Sequence, residues 1–233
     1  QAVIVPHAGY VFSGVTAASA FAAINPDAEY EHIILLGPSH HVYLGKASVN
    51  IGASAYATPL GNVPVDTTLC KDLMEKSDAI TYAPEAHESE HCLEVELPFL
   101  QNHMKKMPSI VPIIIATQEL TTLKKIADTL KPYLNEKNLF VISSDFSHYP
   151  AYKDAEIVDG LTKDSIMTGK VEAFVNATLH NQELGIDHLA TSACGMAPIA
   201  TLLMMTENDA KIKPHHVMYC NSGDSPYGGK DKV

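Results

Sequence analysis

Apolar residues fall along this chain in two rhythms. Short runs dense in Val, Ile and Leu occur at Ala2–Val5, His32–Leu36, Ile110–Ala116 and Leu139–Ser143. Their length and β-branched content predict strands buried on both faces. Longer stretches with helical spacing separate them: Val15–Ile24, Thr67–Lys76, Glu94–Met107, Thr121–Leu134, Tyr152–Met167, Val171–Asn181 and Ala197–Met205. Asp66 stands where an N-cap is needed, and Pro98 falls in the first turns of its helix, where proline is tolerated. Ala47–Ile51 predicts a further strand and His216–Cys220 the last one. Strands alternating with helices predict an α/β fold, a three-layer α/β/α sandwich around a mixed, largely parallel sheet. No repeat, low-complexity tract or flexible linker divides residues 1–233, so a single domain is expected.

The ends of three predicted strands carry polar cargo. Ala2–Val5 runs into Pro6-His7-Ala8-Gly9-Tyr10, His32–Leu36 into Gly37-Pro38-Ser39-His40-His41, and Leu139–Ser143 into Ser144-Asp145-Phe146-Ser147-His148. Open α/β sheets bind ligands beyond the carboxyl ends of their strands. A lone loop histidine is usually just solvated, but three strands ending alike point to a site holding His7, His40, Asp145 and His148. Imidazoles suit iron, zinc and copper, and ligands drawn from separate loops leave a coordination position open. Cys194, in Ser192-Ala193-Cys194-Gly195, precedes a helix whose N-terminus favours thiolate. By itself it reads as a ligand, a nucleophile or an ordinary buried cysteine.

Composition narrows the chemistry. Acidic residues outnumber basic ones 27 to 16, for a net charge of −11, which repels nucleic acid. All sixteen basic residues are lysines, so no arginine can fork onto a phosphate or carboxylate. No apolar run approaches the ~18 residues of a membrane span. The four cysteines (Cys70, Cys92, Cys194 and Cys220) are dispersed without a C-x-x-C pair, which sets a reducing, cytoplasmic compartment as the expectation. One motif misleads. His87-Glu88-Ser89-Glu90-His91 matches the zinc-protease pattern H-E-x-x-H. Pro84 lies just upstream, however, and helical spacing begins only at Leu93, so the two histidines are not expected on one helix face. His91 and Glu94 remain candidates to support the site from behind, with Glu90 read as a first-turn charge.

Pro6-His7-Ala8-Gly9-Tyr10, Gly37-Pro38-Ser39-His40-His41, Thr58-Pro59-Leu60-Gly61, Glu90-His91 with Glu94 and Leu97-Pro98-Phe99, Ser143–His148 and Cys194-Gly195 together resemble signatures of the Memo family. Its bacterial and archaeal branch is also called AmmeMemoRadiSam system protein B. The blocks occur in order from Pro6 to Gly195. The resemblance implies a fold similar to class III extradiol dioxygenases, whose iron is held by two histidines and a carboxylate. It implies metal ligands at His7, His40 and Cys194, with Asp145 and His148 in the cleft and His148 matching an acid/base histidine. It also implies Fe(II) as cofactor, with Cu or Zn as alternatives, and radical-SAM and AMMECR-domain proteins as partners. Family members carry a segment before the first strand and continue past the equivalent of Val233, so a domain trimmed at both ends is expected. A thiolate in place of the carboxylate means that ring cleavage does not transfer.

Three functions compete. The first is a non-haem iron redox enzyme of dioxygenase-like build, acting on an unidentified small molecule, with His148 moving protons and Asp145 tuning it. The second is a non-catalytic peptide- or protein-binding module using the same cleft. Eukaryotic Memo proteins resemble phosphotyrosine-peptide adaptors, a use the missing arginine disfavours here. The third is a cysteine hydrolase in which Cys194, His148 and Asp145 serve as nucleophile, base and orienter.

Overall fold

The computed structural model describes residues 1–233. In chain order its main elements are β1 (Ala2–Val5), α1 (Tyr10–Ala22), β2 (His32–Pro38), β3 (Lys46–Val49), β4 (Ala55–Thr58), β5 (Gly61–Pro64), α2 (Thr67–Lys76), β6 (Ile80–Thr81), α3 (Leu97–His103), β7 (Ser109–Ala116), α4 (Leu120–Leu130), β8 (Asn138–Ser143), α5 (Tyr152–Met167), α6 (Val171–Glu183) and α7 (Met196–Thr206). Six strands form one sheet in the order β1-β8-β2-β7-β3-β6. Neighbours from β1 to β7 run parallel, β3 runs antiparallel to β7, and β6 is parallel to β3.

β8 is buried throughout, as are β2 and β7 after their first residues, so side chains pointing to both faces of the sheet are covered. The connections explain how. β1-α1-β2 and β7-α4-β8 each step over one strand, in opposite directions across the sheet. Right-handed crossovers therefore place α1 and α4 on opposite faces. α1 packs on β1 and α3, whereas α4 packs on α7, which in turn lies against β2, β8 and α6. The fold is α/β with helices on both sides of a mixed, mostly parallel sheet. No helix is long and apolar enough to cross a membrane.

Helices α2 and α5 have the bounds that apolar spacing predicts, and Asp66 caps α2 by accepting the Leu69 amide at 2.8 Å. Its other oxygen binds His32 Nε2 at 3.0 Å, tying the helix to the sheet. Asp66→Ala is expected to cost about 1–2 kcal/mol. Urea unfolding measures it, and a loss within error of zero would show that the cap contributes nothing.

Elsewhere the chain departs from its pattern. Residues 216–220 form no strand. Side-chain bonds hold that segment across two helices instead, Cys220 Sγ to Thr16 (2.7 Å), Met218 Sδ to Ser19 (3.3 Å) and Tyr219 Oη to Asp159 (2.7 Å). The helix expected over Glu94–Met107 is a 3-10 turn at Glu94–Glu96 followed by α3, and it ends at His103, after which Met104 is extended and Lys105 donates its amide to the Pro26 carbonyl. The strand expected over Ala47–Ile51 is β3, which stops at Val49. The β4–β5 hairpin has no apolar rhythm to announce it, since Val63 is its one buried residue. α1 begins at Tyr10, five residues ahead of its apolar stripe, because the Gly9 carbonyl accepts the Phe12 and Ser13 amides.

Candidate metal centre

Parallel register brings three chain segments to one edge. Val5 of β1 pairs with Ser143 of β8, and β8 pairs with β2, so Pro6-His7, Ser144-Asp145 and Ser39-His40 leave the sheet side by side. The segment before α7 closes over them. There the Cys194 amide bonds to the Asp145 carbonyl (3.2 Å), and His148 forms a short antiparallel bridge with Thr191. Ligand atoms of His7, His40 and Cys194 lie within 4.8 Å of one another, as do those of Asp145, His148 and Cys194. His91 completes a histidine cluster, its ring 5.6 Å from that of His7 and stacked 5.4 Å from that of His40.

Each side chain is held from behind. His7 is buried, with Nδ1 2.7 Å from Ser143 Oγ and Nε2 3.3 Å from Cys194 Sγ. Burial pushes its pKa down to about 4, with His40 and His91 adding to the effect against Asp145, so the ring is neutral near pH 7. His40 turns Nδ1 to Glu90 Oε1 at 2.9 Å, and the other Glu90 oxygen accepts the His40 amide at 2.8 Å. That leaves His40 Nε2 free, the usual build of a metal-binding histidine backed by a carboxylate. Burial works to raise the Glu90 pKa. The His40 ring and the backbone amides of His40 and Cys92 overcome it and hold the carboxylate at about 2. The same hydrogen bond raises His40.

Asp145 Oδ1 accepts the amides of His7 (2.9 Å) and Ala8 (3.2 Å), while Oδ2 lies 3.7 Å from His7 Nε2. Cys194 accepts the Asp145 amide at 3.3 Å. Its place before α7 favours thiolate, yet burial and then the Asp145 charge push the thiol up to about 12. His148 Nε2 is buried without a hydrogen-bond partner. Beside these groups an open cleft of about 690 Å³ is walled by Pro38–Tyr43, Ile115–Glu119, Cys194 and Ala197.

The fold thus gathers His7, His40, Cys194, Asp145, His148 and His91, but not Glu94, which is exposed and whose carboxylate makes no hydrogen bond. Two other carboxylates do the supporting. Glu90 sits in a turn, with no helix to complement, and Glu96 is buried behind Ser143. Glu96 carries a sequence signal, since Leu93, Glu96, Leu97 and Leu100 follow helical spacing and are all buried. His87 of the H-E-x-x-H motif leaves the centre and bonds Ser48 through Nε2 at 3.0 Å, so it shares no helix with His91.

Comparison with known proteins agrees with these blocks. The family model of Memo-like proteins matches residues 1–233. A "MEMO1 family protein" of Aeropyrum pernix is 35% identical over 227 residues, covering 96% of this chain and 77% of the relative. Proteins of the same name from Aquifex aeolicus (34%, 97% and 80% covered) and Nitrosopumilus maritimus (32%, 95% and 78% covered) are similar as well. Among solved structures, an uncharacterized protein of Escherichia coli K12 shares the fold with a TM-score of 0.60 over 88% of each chain, at 14% identity. By its full-length family match and these relatives, the chain belongs to the Memo family.

Proposed function

We propose that His7, His40 and Cys194 hold a transition metal, Fe(II) first and Cu or Zn as alternatives, and that the centre carries out redox chemistry on a small molecule bound in the adjoining cleft. The observation that carries this reading is the convergence of the three donors, each backed by its own hydrogen-bonded partner. The donor set fits an ion. The 3.3 Å between His7 Nε2 and Cys194 Sγ is the spacing of two atoms sharing one metal at bond lengths of roughly 2.0–2.3 Å. When bound, the ion supplies a Lewis-acidic, redox-active position for dioxygen or an oxidisable substrate.

The chain's own residues do the rest. Glu90 aims His40, and Asp145 fixes the His7 backbone while keeping one oxygen toward the centre. His148, whose ring shares a cluster with Asp145 and Cys194, would take or give the proton that such chemistry requires. A nucleophilic Cys194 is disfavoured, because a thiol pushed up to about 12 offers almost no thiolate at neutral pH without a cation. A peptide- or protein-binding role without turnover draws on the openness of the cleft and on Tyr43, 68% exposed on its wall.

Elemental analysis of protein purified anaerobically tests the reading. About one equivalent of iron is expected in wild type, with at least tenfold weaker binding in His40→Ala. Wild-type protein that takes up no Fe(II), Cu or Zn sinks it. Metal-loaded protein with no redox turnover, together with a co-purifying radical-SAM or AMMECR-domain partner, favours the binding role.

A further inference from the structure

Glu96 lies fully buried behind the histidine cluster, with no ion pair and with Oε2 lacking any hydrogen-bond partner. Oε1 is 3.1 Å from Ser143 Oγ. The same hydroxyl is 2.6 Å from the Cys92 carbonyl oxygen and 2.7 Å from His7 Nδ1. A hydroxyl has one hydrogen and two lone pairs. The Cys92 carbonyl can only accept, and it is the nearest of the three, so it takes the hydrogen. Both lone pairs of Ser143 then face groups that must donate.

We propose that Glu96 is a protonated carboxylic acid donating to Ser143, and that this pair is a positioning device that locks His7 in its Nδ1–H tautomer with the Nε2 lone pair facing Cys194. The opposite assignment fails on two counts. Turning the Ser143 hydrogen toward an ionised Glu96 sets two oxygens with no hydrogen between them 2.6 Å apart at Cys92. It also leaves a buried charge with one oxygen unpartnered. Burial, opposed by the Ser143 hydroxyl and helped by the charge of Asp145, still pushes the Glu96 carboxyl well above the usual range, in the same direction. Helical spacing marks Glu96 as inward-facing, but nothing in the sequence pairs it with Ser143, which reads as the last residue of a strand.

Only the consequence for affinity rests on the metal-centre reading. The proton assignment stands on the chain's own hydrogen bonds and is tested without metal. Nitrogen-15 spectra of metal-free wild type at neutral pH, with His7 assigned against His7→Gln, are expected to show a protonated Nδ1 and a bare Nε2. An infrared band of a protonated carboxylic acid is expected to vanish in Glu96→Gln. That variant keeps an N–H donor in the same place, so the tautomer and the Fe(II) affinity should hold within about threefold. Ser143→Ala should mix the tautomers and weaken Fe(II) binding by about tenfold to hundredfold. A protonated Nε2 in wild type, no carboxylic-acid band, or an unchanged tautomer in Ser143→Ala overturns the proposal. If Ser143→Ala does not fold, the wild-type spectra decide. The expected tautomer in a protein that binds no metal counts against the metal centre and supports the proton assignment.

Discussion

A His87→Gln protein is expected to lose about 3 kcal/mol less stability than wild type when the pH falls from 6.5 to 4. Burial lowers the folded His87 pKa to about 4, against 6.5 for the free side chain, and its Nδ1 is buried without a partner. Between those values the unfolded chain holds a proton that the folded one refuses. The contribution is therefore fully present above pH 6.5 and is lost as the pH falls toward 4. His7 has the same sign and window. Glu96 and Asp159 act against it, because their raised pKa values let the folded state bind protons first. Net stability is the sum of these opposed effects, so the informative quantity is the difference between wild type and variant. Urea unfolding of both proteins at several pH values gives it, and parallel pH profiles would remove His87 from the account. His87 lies outside the proposed ligand set, so the comparison can be made on metal-free protein.

The second large effect is expected at Gly195, between Cys194 and the first turn of α7. A Cβ there would fall 2.4 Å from Ser144 Cβ and 2.7 Å from the Ser143 carbonyl oxygen. Neither atom is the end of a flexible side chain, so backbone must move. Gly195→Ala is expected to destabilise by about 3 kcal/mol, near the top of the range for overpacking. The displaced segment carries Cys194, so Fe(II) affinity should fall together with stability. Gly160, in α5 with open space around its Cβ position, is the control, and its alanine variant should gain roughly 0.5–1 kcal/mol. Thermal unfolding and metal titration of both variants make the comparison. A Gly195→Ala protein as stable as wild type would show that the strand end and the α7 entry are not locked together.

Strand ends were the legible part of the site. His7, His40, Asp145 and His148 stand out because polar residues abruptly end apolar runs, and parallel strands deliver such residues to one edge. Cys194 was not legible in this way, since it lies in a segment with no strand or helix of its own, and family resemblance singled it out. The supporting carboxylates were obscured by local pattern. Glu94 and Glu96 alternate with apolar residues in Leu93–Leu97, and a tight turn rather than a full helix decides which one faces inward. Segments held mainly by side chains also escaped. Residues 216–220 alternate like a strand but are fixed by bonds to Thr16, Ser19 and Asp159, contacts between distant parts of the chain that no local rhythm encodes.

The cleft beside the centre is built from two kinds of material. The proposed ligands and their supports stand on register-locked strand ends and on turns buried against them. Part of the far wall, at Val42-Tyr43 and Thr117–Glu119, comes from loops after β2 and β7 that make no hydrogen bond to His7, His40 or Cys194. In the function proposed above, chemistry and selectivity are thereby uncoupled. Those loops can be exchanged for others, and the range of molecules admitted re-tuned, while the sheet keeps the reactive end in place.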